Sequence, residues 1–480
     1  MSPKRIFIAA DHGLAIVFFL QTDLLATLLA AGIEVVFLTD DGLLDKIRQR
    51  FDQPGLTIEG LRLQKARLYF QETKYSQQWW LDFLRRAGAS NRMNLETVNN
   101  YVQWVKKEAP FKRKAVFPLI DIAINILRHS RSARQSLISM QQKFTPNIYR
   151  DLFSKYQPDL VLASTAGWRL DRYILREARA LGIKNAAIVL GWDNPSSHAL
   201  PGAKIDAISC WSQAQKEELI NGSDWSENKI NIGGIPSYDG YFNKTWLMPR
   251  DEYYHLHQLD PERKLLGYAC SFVTYSPNLQ NVKAIAELIA RNDLVKPCQL
   301  LVRLHPNHYT PVKRWAHERE QMQKLVQDYP YVHLVEPVPL GGELGYYSGE
   351  DMPEKSSMMA HSDIFLTVYS TMVVETSIHE TPIISVVIDS PTGWPGEYSL
   401  SLSKIGGWPT HSRFRDAGAG KVVSNQAELR QAINQYLTDP SQDKEAQRNF
   451  VRQECTFVDG SAARRTGEYL VNILLNHNLA

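Results

Sequence analysis

The sequence has few cysteines, little net charge and no long uninterrupted apolar run. The cysteines lie far apart without metal-ligand spacing, which predicts neither a disulfide framework nor a zinc site and favours a reducing cytoplasm. They are Cys210, Cys270, Cys298 and Cys455. The stretch AIVFFLQTDLLATLLAAGI is interrupted by Gln21 and Asp23, so it predicts the first helix of a soluble domain rather than a signal or membrane segment. A formal charge of +3 argues against a nucleic-acid-binding protein.

The charge is concentrated in one segment. Residues 81–150 hold thirteen Lys and Arg against four Asp and Glu, a local charge of +9 that leaves −6 for the rest of the chain. Apolar and aromatic runs such as WWLDFL, YVQWV and FPLIDIAINIL are interleaved with these charges. This composition is typical of a segment that meets anionic lipid headgroups or a phosphorylated acceptor, and a solvated helical face is the alternative. On the first interpretation, Lys112, Arg113 and Lys114 belong to the acceptor side.

Strand-like runs alternate with helical segments, which predicts an α/β fold with two Rossmann-like doubly wound domains. The first series consists of KRIFIAA, a helix over Leu14 to Ala31, IEVVFLTD and LTIEGLRL. After a helical, basic insertion at about residues 65–150, it continues through QPDLVLAS, NAAIVLG and IDAISCWS and closes near INIGGIP.

A second strand series begins at KLLGYACSF and continues through QLLVRLHP, YVHLVEP, SDIFLTVYS and PIISVVID. We therefore expect an N-terminal acceptor-side domain at residues 1–245 and a C-terminal nucleotide-donor-binding domain at residues 260–435, followed by helices at residues 436–480. The polar stretch from Lys244 to Arg263 is the expected linker.

The stretch SDIFLTVYSTMVVETSIHETPIISVVID, residues 362–389, combines two buried strands with hydroxyls and a glutamate between them. A helix that starts at Ser370 or Thr371 exposes unpaired N–H groups beside two hydroxyls, which favours an anion such as phosphate. Glu375 lies about one helical turn further, about 6 Å along the axis, where a carboxylate can accept hydrogen bonds from a diol. Phosphate and diol together indicate a nucleotide, whereas a helix cap followed by a solvated glutamate is the alternative.

Polar residues follow two further strands of the second series. Ser271 and Thr274 come after KLLGYAC, and His305 comes after QLLVR. Because ligands bind beyond the carboxyl ends of parallel strands, these residues and Tyr369 are expected to line the same crevice, with Arg303 adding positive charge.

These residues resemble a known superfamily. RLHP followed by SD-x5-YST-x3-E-x6-P is similar to the donor-binding half of GT-B glycosyltransferases, and GWDNPSSHA at residues 191–199 resembles the end of their first domain. Within the superfamily, the pattern resembles bacterial surface-polysaccharide enzymes related to CDP-glycerol glycerophosphotransferases, and sialyl- and Kdo-transferases with His-Pro and Ser/Thr motifs. The resemblance covers roughly residues 155–390.

The resemblance implies roles for particular residues. His305, Ser370 and Thr371 would hold the donor phosphate, and Glu375 would meet the ribose. It also implies that neither a metal ion nor another cofactor is needed, the nucleotide-activated donor being a co-substrate. The Asp-Asp-Gly triplet at residues 40–42 echoes a sialyltransferase motif, but a coincidence is the simpler explanation.

Transfer also requires a base for the acceptor hydroxyl, and that base should lie on the first domain. Asp11 and His12 follow the first strand and are candidates, with Asp193 next. Trp192 and Asn194 offer an aromatic platform and polar groups for a sugar, whereas a tight WDNP turn is the alternative.

The first functional hypothesis is a metal-independent glycosyltransferase that moves a sugar from a nucleotide-sugar donor to a cell-surface glycan or a lipid-linked acceptor. The alternatives are a polyol-phosphate transferase of the same fold, a nucleotide-sugar 2-epimerase, and a non-catalytic nucleotide- or glycan-binding scaffold. We expect a cytoplasmic protein that binds no nucleic acid and, if the basic insertion meets lipid, lies on the inner face of the membrane. The nucleotide, the sugar and the acceptor stay open.

Overall fold

The computed structural model describes residues 3–271, 278–309, 313–389 and 402–475. Two separate parallel sheets and the helices around them form this part of the chain. The predicted α/β fold with two Rossmann-like domains is therefore confirmed. No helix among the described residues is both long and apolar enough to cross a membrane.

The first sheet is built from short strands whose side chains are almost all buried. Its strands are β1 Arg5–Ala9, β2 Glu34–Thr39, β3 Leu56–Gly60, β4 Leu160–Ala163, β5 Lys184–Ile188, β6 Ala207–Cys210 and β7 Ile230–Ile232. They are parallel and lie in the order β3-β2-β1-β4-β5-β6-β7. The strand order reverses between β1 and β4, which is the position at which such sheets bind ligands.

The helices of the first half cover this sheet and form the insertion. They are α1 Ala15–Leu20, α2 Asp23–Ala30, α3 Leu44–Phe51, α4 Leu63–Glu72, α5 Tyr75–Ala87, α6 Glu96–Glu108, α7 Phe111–Lys114, α8 Phe117–His129, α9 Arg131–Gln141, α10 Arg150–Tyr156, α11 Arg172–Ala180, α12 Asn194–His198, α13 Gln213–Ser223, α14 Asp239–Phe242 and α15 Arg250–Leu256. The insertion has a small core of its own in which Phe83, Val102 and Phe117 pack together.

Two expectations about this half are corrected. The single helix expected over residues 14–31 is two helices, because the hydroxyl of Thr22 accepts a hydrogen bond from the N–H of Leu24 and caps α2. The expected linker contains α15, whose Tyr253 and Tyr254 are buried, so this segment is packed rather than extended.

The second sheet repeats the doubly wound pattern. Its strands are β8 Lys264–Ala269, β9 Cys298–Arg303, β10 Val332–Val335, β13 Ile364–Thr367, β14 Ile383–Val386 and β15 Lys421–Val423, and β11 Pro339–Gly341 and β12 Tyr346–Tyr347 form a separate antiparallel hairpin. The order β10-β9-β8-β13-β14-β15 reverses between β8 and β13. The helices are α16 Asn278–Ala290, α17 Lys313–Asp328, α18 Met352–His361, α19 Met372–Ile378, α20 Leu402–Ile405, α21 Pro409–Asp416, α22 Gln426–Thr438, α23 Lys444–Cys455 and α24 Ala462–Leu475.

The last helix returns to the first sheet. Leu470 and Leu474 of α24 share a buried core with Leu24 and Leu28 of α2. Gly467 permits this contact, since a Cβ at that position would lie 2.8 Å from the side chain of Thr27. The two halves are therefore joined both by the chain between them and by the C-terminal helix.

Candidate functional site

The carboxyl ends of the two sheets face each other where the hairpin of β11 and β12 meets the loop after β1. The N–H of Tyr347 donates to the carbonyl of Gly13 at 2.9 Å, and the hydroxyl of Tyr346 donates to the carbonyl of Ala10 at 2.6 Å. Gly13 fits closely, because a Cβ there would lie 2.9 Å from the carbonyl oxygen of Gly345. The cleft between the sheets is thus bounded by the strand ends at which both sheets reverse.

Three neighbouring strands of the second sheet end in predicted donor residues. The order β9-β8-β13 places His305, Ser271 and Ser370 with Thr371 along one edge. The end of β8 is fixed by the N–H of Ser271, which donates to the amide oxygen of Asn278 at 3.0 Å. The structure therefore brings these strand ends together as expected, while Thr274 lies outside the described residues.

His305 is held as a neutral hydrogen-bond donor. The N–H of Asn307 donates to its Nδ1 at 3.1 Å, so the ring proton lies on Nε2, and Nε2 lies 3.5 Å from the hydroxyl of Tyr347. Burial, with the nearby charges of His308, Lys355 and Arg303, lowers the pKa of His305 to about 3. The ring is therefore uncharged at neutral pH and presents an N–H beside the cleft.

The Tyr-Ser-Thr segment forms the turn between β13 and α19. Tyr369 has a left-handed backbone with φ of +38°, and its ring lies 4.6 Å from the ring of His411. The hydroxyl of Ser370 accepts a hydrogen bond from the N–H of Met372 at 3.2 Å, so it satisfies the first N–H of α19, while Thr371 occupies the N-cap position without a capping bond from its side chain. Ser370 and Thr371 are half-buried, so each keeps part of its surface exposed to solvent.

Two residues predicted to bind the nucleotide donor do not fit that role, because their charges already have partners within the chain. Glu375 is buried, accepts from the hydroxyl of Tyr241 at 2.6 Å and pairs with Lys355 at 2.6 Å, so it is not open to a ribose. Arg303 is also buried and forms ion pairs with Asp351, which precedes α18, and with Glu354 of α18.

Lys355 and Tyr347 are site residues that the sequence reasoning missed. The ammonium of Lys355 pairs with Glu375 at 2.6 Å, and its charge contributes to the lowered pKa of His305. Lys355 belongs to α18, twenty residues before its partner Glu375, and no local pattern indicates that contact. The glycine-rich stretch GGELGYYSG did signal a turn, and its two tyrosines could have been examined as site residues.

On the first domain, Asp11 and His12 do not have the geometry of a general base. Asp11 is fully buried and accepts from the N–H of Asp171 at 2.8 Å, and burial raises its pKa. The N–H of Leu14 donates to Nδ1 of His12 at 3.1 Å, which leaves the ring proton on Nε2. Burial and the charge of Arg169 lower the pKa of His12 to about 3. His12 is therefore a neutral donor, held in the same way as His305.

Of the predicted acceptor-side residues in the Trp-Asp-Asn segment at residues 192–194, two do not fit their predicted roles. Trp192 is buried, and its indole N–H donates to Glu454 at 2.6 Å, so its ring is not a platform for a sugar. Asn194 is buried and accepts from the N–H of Gly191 at 2.9 Å, which is the tight turn that the alternative described. Asp193 is half-buried, and within the described parts of the chain its carboxylate makes no hydrogen bond or ion pair.

The basic segment has both internal and external charges. Arg85 is buried and donates to the carbonyls of His198 and Leu200 at 2.8 Å, and Arg134 is buried against Asp224. These arginines hold the insertion to the first domain. Lys112 and Lys114 are exposed on α7, while the guanidinium of Arg113 lies 4.1 Å from the ring centre of Trp79.

The Asp-Asp-Gly triplet is structural. The carboxylate of Asp40 accepts from the N–H groups of Gly42 at 2.9 Å and Glu343 at 2.5 Å, and the carboxylate of Asp41 accepts from the N–H of Arg62 at 2.8 Å. The triplet therefore joins the end of β2 to the hairpin.

The family of the chain is decided by a match to the family model described as CDP-Glycerol:Poly(glycerophosphate) glycerophosphotransferase over residues 221–472. The chain belongs to this glycerophosphotransferase family. The matched region contains the strand ends with Ser271, His305 and Ser370, whereas Asp193 and the basic insertion lie outside it. No curated protein matches the sequence.

Solved structures agree with the GT-B architecture of this glycerophosphotransferase-family chain. UDP-GlcNAc 2-epimerase from Neisseria meningitidis has a TM-score of 0.52 at 12% identity, covering 98% of this chain and 100% of that one. A glycosyltransferase from Rickettsia africae has a TM-score of 0.51 at 10% identity and covers 100% of both chains. UDP-GlcNAc 2-epimerase from Methanocaldococcus jannaschii has a TM-score of 0.51 at 11% identity, covering 97% and 99%. At these identities the likeness concerns the fold alone.

Proposed function

We propose that this chain transfers a polyol phosphate or a sugar from a nucleotide-activated donor to a growing surface glycan or its lipid-linked precursor. The observation that carries the proposal is the adjacency of β9, β8 and β13, which end in His305, Ser271 and Ser370 with Thr371. The Nε2–H of His305 and the hydroxyls of Ser370 and Thr371 are donors for a phosphate. The family description, which names CDP-glycerol, supports a cytidine diphosphate donor.

On this proposal, Asp193 is the candidate base and His12 is a donor on the acceptor side. A base must have a free lone pair, and the carboxylate of Asp193 meets this requirement where His12, protonated on Nε2, does not. Asp11 acts through its hydrogen bond to the backbone of Asp171, which fixes the loop that carries His12. We also propose that hydrogen-bond donors of the chain rather than a metal ion stabilise the leaving phosphate, so activity should survive EDTA.

The test measures which nucleotide is released. Transfer of glycerol phosphate from CDP-glycerol breaks the pyrophosphate bond and releases CMP. Sugar transfer releases the nucleoside diphosphate from a nucleoside diphosphate sugar but CMP from a CMP-sugar, so the product must also be analysed for added phosphate. Release of CMP or of a diphosphate only when acceptor is present supports a transferase. Conversion of UDP-GlcNAc without any acceptor would instead support the epimerase alternative, and binding without turnover would support the scaffold.

The donor site is tested with Ser370→Ala and a matched cap variant. Ser370→Ala removes one donor to a charged group and should weaken nucleotide binding by about 1.5–3 kcal/mol in a calorimetric titration. Ser130→Ala removes a similar cap at the start of α9, where Ser130 accepts from the N–H of Ala133 at 3.2 Å, and should leave nucleotide affinity unchanged. Equal nucleotide affinities for both variants and the wild type would show that Ser370 is a helix cap and nothing more.

A further inference from the structure

A cavity of about 250 Å³ lies at the amino ends of β6 and β7. Its walls come from α9 of the insertion, from the segment at residues 201–206 that leads into β6, and from the segment at residues 223–229 that leads into β7. The cleft lies at the carboxyl ends of the parallel strands of this sheet, so the cavity is separate from the candidate functional site. Its volume lies just below the range of about 300–1,000 Å³ that is typical of pockets for drug-sized ligands, and it therefore suits a smaller molecule.

The cavity has an excess of positive charge, because both acidic residues of its lining already have partners. Asp206 pairs with Arg179 at 3.0 Å. Asp224 pairs with the buried Arg134 at 2.5 Å. Three exposed cations of the lining make no ion pair or hydrogen bond through their side chains among the described residues, and they are Arg131, Lys204 and Lys229. These cations are therefore free to bind an anion.

Arg131 stands where a helix by itself disfavours a cation. It is the first residue of α9, and the first turn of this helix contains no acidic residue. The amino end of a helix is the positive end of its dipole, so the guanidinium and the dipole repel each other. An anion bound in the cavity would stabilise both.

The lining also contains a buried hydroxyl and apolar side chains. Ser223 is 2% exposed, and its hydroxyl makes no hydrogen bond within the part of the chain that the structure describes. Buried hydroxyls are normally paired, so this one is available to a ligand. Ile138, Ile205 and Trp225 are buried and form an apolar wall. The cavity therefore suits a molecule that combines an anionic group with a small organic body.

We propose that this cavity binds a small organic phosphomonoester, with its phosphate at Arg131, Lys204 and Lys229 and its body against Trp225. A phosphate suits three cations better than a carboxylate does, because it carries more charge and has three oxygens that each accept a charge-assisted hydrogen bond. Arg131 belongs to the insertion and the two lysines belong to the first sheet's loops, so the bound ester would hold α9 against the first domain. The proposal does not depend on which group the enzyme transfers.

The test is a calorimetric titration of the full chain with glycerol 3-phosphate at low and at high salt. Wild-type binding should be saturable and should weaken as the salt concentration rises, because the contacts join opposite charges. Lys204→Glu with Lys229→Glu should weaken binding at least about tenfold, since each lysine donates to a charged group. The matched control is Lys283→Glu with Lys324→Glu, which makes the same change of charge at two exposed lysines of the second domain and should bind like the wild type.

Ser223→Ala tests the cavity without changing its charge. It removes a hydroxyl that has no partner in the described chain, so the unfolding midpoint of the free protein should not fall. Binding of glycerol 3-phosphate should nevertheless weaken at least about threefold. Ser370→Ala changes the proposed donor site and should bind glycerol 3-phosphate like the wild type. Inorganic phosphate should bind the wild type more weakly, because it lacks the body that packs against Trp225.

The proposal is overturned if the wild type shows no saturable binding of glycerol 3-phosphate. Equal weakening by the two lysine double variants would also overturn it, because attraction by overall charge would then explain the binding. Loss of binding in Ser370→Ala but not in Lys204→Glu with Lys229→Glu would place the ester in the cleft instead. Equal affinities for inorganic phosphate and glycerol 3-phosphate would leave an anion site to which no organic body contributes.

Discussion

Glu375 and His305 both follow strands of the second sheet, but the contacts that hold them differ. Glu375 already satisfies a tyrosine hydroxyl and a lysine, whereas His305 is held by a backbone N–H that leaves Nε2–H beside the cleft. His12 is held in the same way by the N–H of Leu14. Both sheets therefore carry a neutral histidine after a strand, each with its ring proton on Nε2.

Glu375→Ala is expected to destabilise the protein rather than only to weaken ribose binding. The change leaves the ammonium of Lys355 without its partner, and breaking a buried ion pair costs about 3–5 kcal/mol. Urea denaturation should show a lower midpoint with an unchanged slope. Glu380→Ala is the matched control, because Glu380 follows the same helix but pairs with Arg448 in a largely exposed position, and it should cost about 0–1 kcal/mol. Equal losses of stability for Glu375→Ala and Glu380→Ala would contradict a structural role for the buried pair of Glu375 and Lys355.

At the scale of elements, the sequence predicted what depends on local pattern. Eleven of the thirteen parallel strands follow from apolar runs, since a strand covered on both faces must be apolar along its length, whereas β7 and β15 have three residues each and were not predicted as strands. The hairpin of β11 and β12 could not be predicted, because its strands have only three and two residues and its register depends on docking against β1. The ion pair between Glu375 and Lys355 was missed for a related reason, because the two residues lie on different helices.

The two tyrosines of β12 should have separable roles. Tyr346→Phe removes the donor to the buried carbonyl of Ala10 and should cost about 1–3 kcal/mol of stability. Tyr347→Phe keeps the backbone bond to Gly13 and removes only the hydroxyl beside Nε2 of His305, so stability should be retained. Nucleotide affinity should then fall by about 0.5–1.5 kcal/mol for Tyr347→Phe alone. A nucleotide affinity that drops equally in both variants would assign the effect to the hairpin as a whole.

The whole molecule is held together by the return of α23 and α24 and by a buried ion cluster. Arg413 of α21 pairs with Glu454 of α23 at 2.8 Å and with Glu218 of α13 at 2.8 Å, and the same Glu454 accepts from Trp192 of the first domain. Burial raises the pKa of Glu218 to about 7, although Arg413 opposes the shift. The cluster therefore places a carboxyl that titrates near neutral pH among contacts between the two halves.

Arg413→Met should destabilise the protein, and the effect should depend on pH. The change leaves the carboxylates of Glu218 and Glu454 buried without their cation, at a cost of about 3–5 kcal/mol. A raised carboxyl pKa stabilises the folded state at low pH and loses this contribution as pH rises, so the cost should be larger above pH 7 than below it. Arg415→Met, two residues away, changes a half-exposed pair with Asp416 and should cost about 0–1 kcal/mol at either pH. Thermal unfolding on both sides of pH 7 measures the difference, and a cost for Arg413→Met that is small or independent of pH would mean that α24, not the ion cluster, holds the halves together.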